Sequence, residues 1–354
     1  MDKEKAIYYI ENSFLRSLIL DEEVTDISFN GKDIFYVSNS EGRKKSEIEV
    51  EHQIVKDFLR QIANLSEQQF SYTNPNLDVS IGKYRINATH QSIGRINDED
   101  VVTFSIRIAS NKPRIFKDSD FFTPAVVSLL KELLANRLSI IIGGLTSSGK
   151  TEFQKFLLRE MKENERVIVI DNVMELDSVR GENKIDLTCW KVDDKNPYSS
   201  CSLLIKNALR NNPDWLILAE ARGKEMVDVL NSAMTGAPII TTIHSLDVKS
   251  LPFRMGRLVQ RSEQKMDYSE VLKDIYYHFH FYIYLNKEEK DGQIKRYISD
   301  IGYVDDGGRF YKIYQKEKNE DKYYALPKES LYLFKKRPFN ELFNSHFIGG
   351  NSNE

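Results

Sequence analysis

Gly144-Leu145-Thr146-Ser147-Ser148-Gly149-Lys150-Thr151 fits the pattern G-x-x-x-x-G-K-[ST] at every fixed position. The run before it, Leu138-Ser139-Ile140-Ile141-Ile142, is dense in β-branched residues and reads as a buried strand. After it, Phe153, Phe156, Leu157 and Met161 recur at helical spacing and predict a helix from Thr151 to Met161. Strand, glycine loop and helix form the context in which this pattern has physical meaning. Glycines let the backbone curl until successive N–H groups face inward as a nest for phosphate oxygens. The helix N-terminus adds its partial positive charge. Gly144, Leu145, Thr146, Ser147, Ser148, Gly149, Lys150, Thr151 and Glu152 are therefore the expected ATP-binding residues. Lys150 would reach the β- and γ-phosphates, and the Thr151 hydroxyl would ligate Mg²⁺. No Asn-Lys-x-Asp segment that would read guanine is present.

The chain has 354 residues, enough for two domains. Charged residues make up 29%, hydrophobic residues 41%, and the net charge is −3, so no global basic field points to nucleic acid. No aromatic platform interleaved with lysines is visible either, which argues against a nucleic-acid-driven translocase. No apolar run approaches the ~20 residues that span a bilayer. The opening Met1-Asp2-Lys3-Glu4-Lys5-Ala6 lacks the apolar stretch of a signal peptide. Cys189 and Cys201 make no disulfide framework, and no Cys/His spacing suggests zinc. The expected location is cytoplasmic, with any tie to a membrane made through partners.

The first 108 residues read as an α+β domain. A helix is expected over residues 3–20, with Ile7, Ile10, Phe14 and Leu18 on one face. Val24-Thr25-Asp26-Ile27-Ser28-Phe29 reads as a strand, and Asn30-Gly31 as a hairpin turn into Asp33–Val37. A helix over 50–64, a hairpin over 77–88 and a strand over 101–108 follow. Residues 109–122 are polar, contain Pro113 and read as a linker. Thr123-Pro124 supplies an N-cap and a first-turn proline for a helix over 124–136.

From 123 to 348 strands and helices alternate, which predicts a mostly parallel sheet covered on both faces. Strands are expected at 138–143, 166–170, 215–218 and 238–243. Ligands of such sheets lie beyond the carboxyl ends of the strands. The phosphate loop, Asp171, Glu220 and His244 all fall at those ends. After residue 270 the aromatic run His278–Tyr284, then 294–304 and 310–314, read as antiparallel strands closing the sheet. Residues 349–354 read as a disordered tail.

The segment from Ala208 to Gly223, with Trp215-Leu216-Ile217-Leu218-Ala219-Glu220-Ala221-Arg222-Gly223 at its end, resembles the Walker B region of the bacterial type II/type IV secretion ATPase superfamily. Met234-Thr235-Gly236 and Thr241-Thr242-Ile243-His244-Ser245 resemble the Thr-Gly and histidine-box segment of that family, and Arg166–Leu176 its Asp box. Arg254 falls where the family carries an arginine shortly after the histidine. Val24-Thr25-Asp26-Ile27 with Asn30-Gly31 is similar to the N-domain opening of the VirB/Tad branch. The resemblance runs in order along nearly the whole chain. It implies a RecA-like P-loop ATPase domain of α/β class preceded by a smaller α+β domain. It also implies ATP and Mg²⁺ as cofactors, a homo-oligomeric motor ring of six copies, and an integral membrane component of a secretion or pilus machine as partner. Direct membrane insertion and direct nucleic-acid binding are not expected.

The chain departs from the family pattern at four places: Ser147 for a loop glycine, Glu152 after Lys150-Thr151, Asp171-Asn172 for Glu-Asp, and Ala219 for glycine before Glu220. Ser147 must adopt the angle the glycine served, and Glu152 brings negative charge near the phosphates. These departures make a nucleotide-binding assembly scaffold with weak turnover the alternative to a motor.

Glu220 is the candidate for polarising the attacking water, because a carboxylate at a buried strand end is costly unless paired or used. The competing role is a salt bridge to Arg222 or Arg210. Asp171 would organise water or Mg²⁺, or cap the turn that follows it. His244 would sense the γ-phosphate, or serve as a structural histidine. By resemblance, Arg85 and Arg107 are candidates to reach the nucleotide from the same or a neighbouring subunit, with Arg95 a weaker third; their competing role is that of ordinary solvated or salt-bridged strand residues.

Overall fold

The computed structural model describes residues 2–109, 121–193, 196–263, 265–290, 292–317, 320–336 and 338–349. The expected linker at 109–122 and tail at 349–354 fall almost wholly outside the described residues. The chain divides into two compact units, Met1–Arg114 with Glu289–Lys295, and Ile115–Glu288 with Arg296–Glu354.

In the first unit α1 (Lys3–Glu11) begins under Asp2, whose side chain accepts from the Lys5 amide. The single helix expected over 3–20 is broken: α2 is a separate turn, Arg16–Ile19. Ser13 is the cause. Its hydroxyl donates to the Ile10 carbonyl (2.7 Å) and accepts from the Leu15 amide (3.3 Å), which offers the backbone an alternative to the helix ladder. Strands β1 (Val24–Phe29) and β2 (Ile34–Ser38) form the predicted hairpin. At its turn Asn30 Oδ1 accepts from the amides of Lys32 and Asp33, and Gly31 takes φ +101°. Then come β3 (Gly42–Lys45), α3 (His52–Leu65), β4 (Asn76–Ile81) and β5 (Tyr84–Thr89). A small hairpin, β6 (Arg95–Ile96) with β7 (Glu99–Asp100), precedes β8 (Thr103–Ile108).

The main sheet of this unit has the order β3-β2-β1-β8-β5-β4, with antiparallel neighbours throughout. Helix α3 turns Val55, Phe58, Leu59 and Ile62 inward at helical spacing. They meet Ile27, Phe29, Ile86 and Ile106 in one core. Within the same unit the Ile294 amide donates to the Ser40 carbonyl at 2.7 Å.

The second unit opens with α4 (Pro124–Ala135), where Thr123 accepts from the Val126 amide and Pro124 occupies the first turn. The succession is then β9 (Ile140–Gly144), α5 (Lys150–Glu160), β10 (Arg166–Asp171), β11 (Asp186–Lys191), α6 (Cys201–Leu209) and β12 (Trp215–Leu218). It continues through α7 (Met226–Met234), β13 (Ile239–Ile243), α8 (Leu251–Val259), α9 (Tyr268–His278), β14 (Phe281–Lys290), β15 (Gln293–Val304), β16 (Phe310–Glu317) and β17 (Glu320–Tyr323). The sheet order is β11-β10-β12-β13-β9-β14-β15-β16-β17.

Strands β11 to β14 of that order are parallel. Strand β14 thus corrects the sequence expectation. It pairs with β9 in parallel, Ile283 opposite Ile142, because α9 acts as a crossover that returns the chain to the starting end of β9. Antiparallel pairing is seen farther out, between β15 and β16 and between β16 and β17. Strand β9 is buried on both faces. Ile140 and Ile142 join one core with α4 and α5, and Ile141 joins the other with α7, α8 and α9. Among the described residues no helix is long and apolar enough to cross a membrane.

Candidate nucleotide site

Four neighbouring strands, β10, β12, β13 and β9, bring their carboxyl ends side by side. Asp171 ends β10, Glu220 lies two residues past β12, His244 follows β13, and the glycine loop follows β9. The convergence expected from sequence is therefore a spatial one.

The loop is built around its unusual backbone angles. Gly149, at φ +96°, stands immediately before α5. A Cβ on Gly144 would meet the Ser148 hydroxyl at 2.5 Å and the Leu285 carbonyl at 2.7 Å, so only glycine fits there. Ser147 does adopt the left-handed region, at φ +62°. Ser148 is fully buried, and its hydroxyl has no hydrogen-bond partner among the described residues. A buried, unpaired hydroxyl beside a left-handed loop at a helix N-terminus is a setting that suits a phosphate oxygen.

Lys150 is 8% exposed. Its ammonium donates to the carbonyls of Gly144 (3.0 Å) and Leu145 (2.8 Å) and stands 3.4 Å from His244 Nδ1. Burial pushes its pKa down to about 8, opposed by the charge of Glu220. His244 Nε2 lies 3.1 Å from Glu220 Oε1. Nδ1 faces the ammonium, which can only donate, and Nε2 faces the Glu220 carboxylate. Burial, then the charge of Lys150, hold the imidazole below its ordinary pKa. Glu220 Oε2 accepts from Arg222 at 2.7 Å. Burial works to raise the Glu220 carboxyl, but the Arg222 hydrogen bond, with the charges of Arg222, His244 and Lys150, outweighs it and keeps the group ionised. Lys150, His244, Glu220 and Arg222 thus form one continuous chain.

The loop carrying Glu220 is fixed by its backbone. The Ala219 amide donates to Ile170, the Ala221 amide to Thr242, and Thr242 Oγ1 to the Ala219 carbonyl. Glu225 accepts from the amides of Arg222 and Gly223 and so sets the turn from which Arg222 reaches back. Ala219 is not among the positive-φ residues, so alanine replaces the family glycine there without backbone strain. Glu152 is matched by Lys155, 2% exposed, whose ammonium lies 2.9 Å away. Sequence reading did not anticipate this lysine; its signal was the i,i+3 spacing.

Asp171 accepts from the amides of Val173 (2.9 Å) and Leu176 (3.4 Å), which is the turn-capping role. Glu220 makes its expected ion pair with Arg222 and also meets His244. Arg85, Arg95 and Arg107 belong to the first unit. Each pairs there with a carboxylate: Arg85 with Asp78 at 3.5 Å, Arg95 with Asp100 at 3.3 Å, Arg107 with Asp26 at 3.1 Å. Arg85 and Arg107 are register partners on β5 and β8. No group of three or more His, Cys, Asp or Glu suited to hold a metal occurs among the described residues.

A parallel sheet with a phosphate loop after its central strand and an ionised glutamate two strands away defines the class of P-loop nucleotide-binding α/β proteins. Residues 83–273 match the type II/IV secretion system protein family, and the chain belongs to that family. It is 29% identical over 278 residues to an uncharacterized protein of Bacillus anthracis, covering 76% of this chain and 61% of that protein. It is 26% identical over 199 residues to the type IV secretion system protein VirB11 of Brucella abortus, 55% of each chain. The matched segments thus span about three-fifths and about half of those relatives. In fold it is similar to the Legionella pneumophila ATPase DotB, with TM-score 0.62 at 19% identity over 86% of this chain and 81% of that one.

Proposed function

We propose that the protein is a cytosolic ATPase motor that couples ATP hydrolysis to substrate transfer or pilus assembly by a type IV-like secretion or conjugation machine. The observation that carries this reading is the chain from Lys150 through His244 and Glu220 to Arg222, at the strand ends beside the glycine loop. Lys150 and the loop amides bind the triphosphate, and Glu220 orients and takes a proton from the attacking water. Arg222 holds Glu220 ionised and aimed. His244, touching both Lys150 and Glu220, links the occupancy of the loop to the position of the base. Mg²⁺, held by Thr151 with Asp171 as a second candidate, would neutralise charge on the phosphates. Arg85 and Arg107 are assigned the role of stabilising transition-state charge from the same or a neighbouring subunit of a six-membered ring. The membrane component of the machine is the expected partner.

The experiment is ATP turnover of the purified protein beside Glu220→Gln, with each sample sized by light scattering. Turnover in a six-subunit particle, reduced at least about a hundredfold in the variant, is the expected result. Undiminished turnover by Glu220→Gln would refute its role as base. One observation favours the scaffold alternative: both Glu220 oxygens are already engaged. ATP binding without turnover, even with membrane partners added, would select it.

A further inference from the structure

Arg296, on β15, is 8% exposed, and its Nε donates to the Ser147 carbonyl at 2.9 Å. This brings a buried guanidinium from a strand far along the chain onto the backbone of the phosphate loop, 149 residues away. The residue it holds is the non-glycine residue of the loop with a left-handed backbone. Ser147 stands at φ +62°, a region that glycine enters freely and serine does not. Peptide planarity then carries the effect one residue on. The Ser147 carbonyl and the Ser148 N–H belong to one rigid plane and point in opposite directions. Fixing the carbonyl on Arg296 turns the Ser148 N–H the other way, toward the Leu145 carbonyl at 3.3 Å. The Ser148 hydroxyl, buried and unpartnered among the described residues, belongs to the same residue.

We propose that Arg296 is a positioning residue of the phosphate loop. It holds the Ser147–Ser148 peptide, with the Ser148 amide on the Leu145 carbonyl, so that the Ser148 hydroxyl meets a phosphate of the nucleotide, and it compensates for serine at a left-handed position. The inference rests on the reading of residues 144–152 as the ATP site. It makes nucleotide affinity depend on Arg296 only while residue 147 resists the left-handed angle. With glycine at 147 the loop needs no such restraint.

The test is a double-mutant cycle on the full chain: wild type, Arg296→Met, Ser147→Gly and the double variant, with Mg-ADP affinity read by calorimetry and folding by thermal melting. Arg296→Met is expected to weaken binding about tenfold, the loss of one charge-assisted hydrogen bond. In the Ser147→Gly background the same change is expected to weaken it less than about threefold. A merely structural arginine would lower the melting temperature without this dependence on residue 147. Unchanged affinity in folded Arg296→Met, or equal loss in both backgrounds, overturns the proposal. Should Arg296→Met not fold, Arg296→Leu reads the same cycle. Its side chain carries no donor for the Ser147 carbonyl, so weakening relieved by Ser147→Gly supports the proposal, and no weakening, or equal weakening in both backgrounds, overturns it. Lys150→Ala is measured alongside. If it binds Mg-ADP as tightly as wild type, the reading of the loop itself fails; if it loses binding while the Arg296 cycle is flat, only the present inference fails.

Discussion

Strand β8 of the first unit and strand β9 of the second each lie inside their sheets, yet they use their side chains differently. In β8, Phe104, Ile106 and Ile108 are buried while Ser105 and Arg107 are exposed. In β9, every residue from Ile140 to Gly144 is buried. An antiparallel sheet with one open face can carry charge along its strands, and each charge is answered sideways, as Arg107 is by Asp26. A parallel sheet covered on both faces cannot let a charge leave mid-strand, so its polar groups gather where the strands end. The second unit's chemistry therefore sits on one edge, whereas the first unit's charges are spread and neutralised pair by pair.

The largest effects should come from breaking the two-sided burial. Ile141→Ala and Ile142→Ala, neighbours facing opposite cores, should each cost about 3 kcal/mol. On β8, Ile106→Ala should cost about as much, whereas adjacent Ser105→Ala should stay within about 0.5 kcal/mol. Urea unfolding measures all four, and a cheap Ile141→Ala would mean that the second face is not tightly packed.

Next comes the charge buried among apolar neighbours on α5. Lys155→Met should destabilise the protein by about 2 kcal/mol, since it leaves Glu152 without this counter-charge. Adding Glu152→Gln should recover most of that loss. A single variant within experimental error of wild type would show that Glu152 does not depend on this lysine.

Smaller effects are expected on the open sheet face. Arg85→Ala and Arg107→Ala break pairs that are well exposed, so each should change stability by less than about 1 kcal/mol. Loss of ATP turnover without loss of stability would sharpen the contrast, by showing that these arginines act beyond their own sheet. Unchanged turnover would return them to the role of solvated strand residues.

The smallest expected effect concerns His52 on α3. Its Nε2 accepts from the Val102 amide at 3.3 Å, which requires the unprotonated nitrogen. Burial, then the charge of Lys56, hold its pKa below 6.5, against the opposing charge of Glu99. A depressed histidine pKa means that the unfolded chain takes up the proton first. The stability from the neutral ring is present above pH about 6.5 and is lost as the pH falls below it. His52→Gln, whose amide oxygen accepts at any pH, should show a shallower fall in melting temperature between pH 7 and 5 than wild type. Parallel curves would remove His52 from the acid response.

Much of this arrangement could be read from the sequence because its signals are local. The glycine pattern of the phosphate loop, the β-branched strands and the Asn30-Gly31 turn each lie within a few residues. The strand over Trp215–Leu218 is found at the expected bounds. What could not be read depends on partners distant in the chain or on competing side-chain bonds. Ser13 ends α1 through its own hydroxyl. Strand β11, Asp186–Lys191, has no strong alternation and is recruited by pairing along the whole of β10. The parallel sense of β14 depends on where α9 delivers the chain. At the site, positions were legible but pairings were not. That His244 would touch both Lys150 and Glu220, or that Arg296 would reach Ser147, follows from strand order, which no short stretch of sequence encodes.

The grouping of Glu289–Lys295 with the first unit has a consequence for modular exchange. A chimera joined at residues 109–122 would inherit an N-terminal sheet from one parent and the hairpin tip that belongs with it from the other. The Ser40 carbonyl would then meet a foreign segment in place of Ile294. Two relatives can trade their first units cleanly only by trading the β14–β15 tip as well, so the two stretches of sequence are expected to be inherited as a pair.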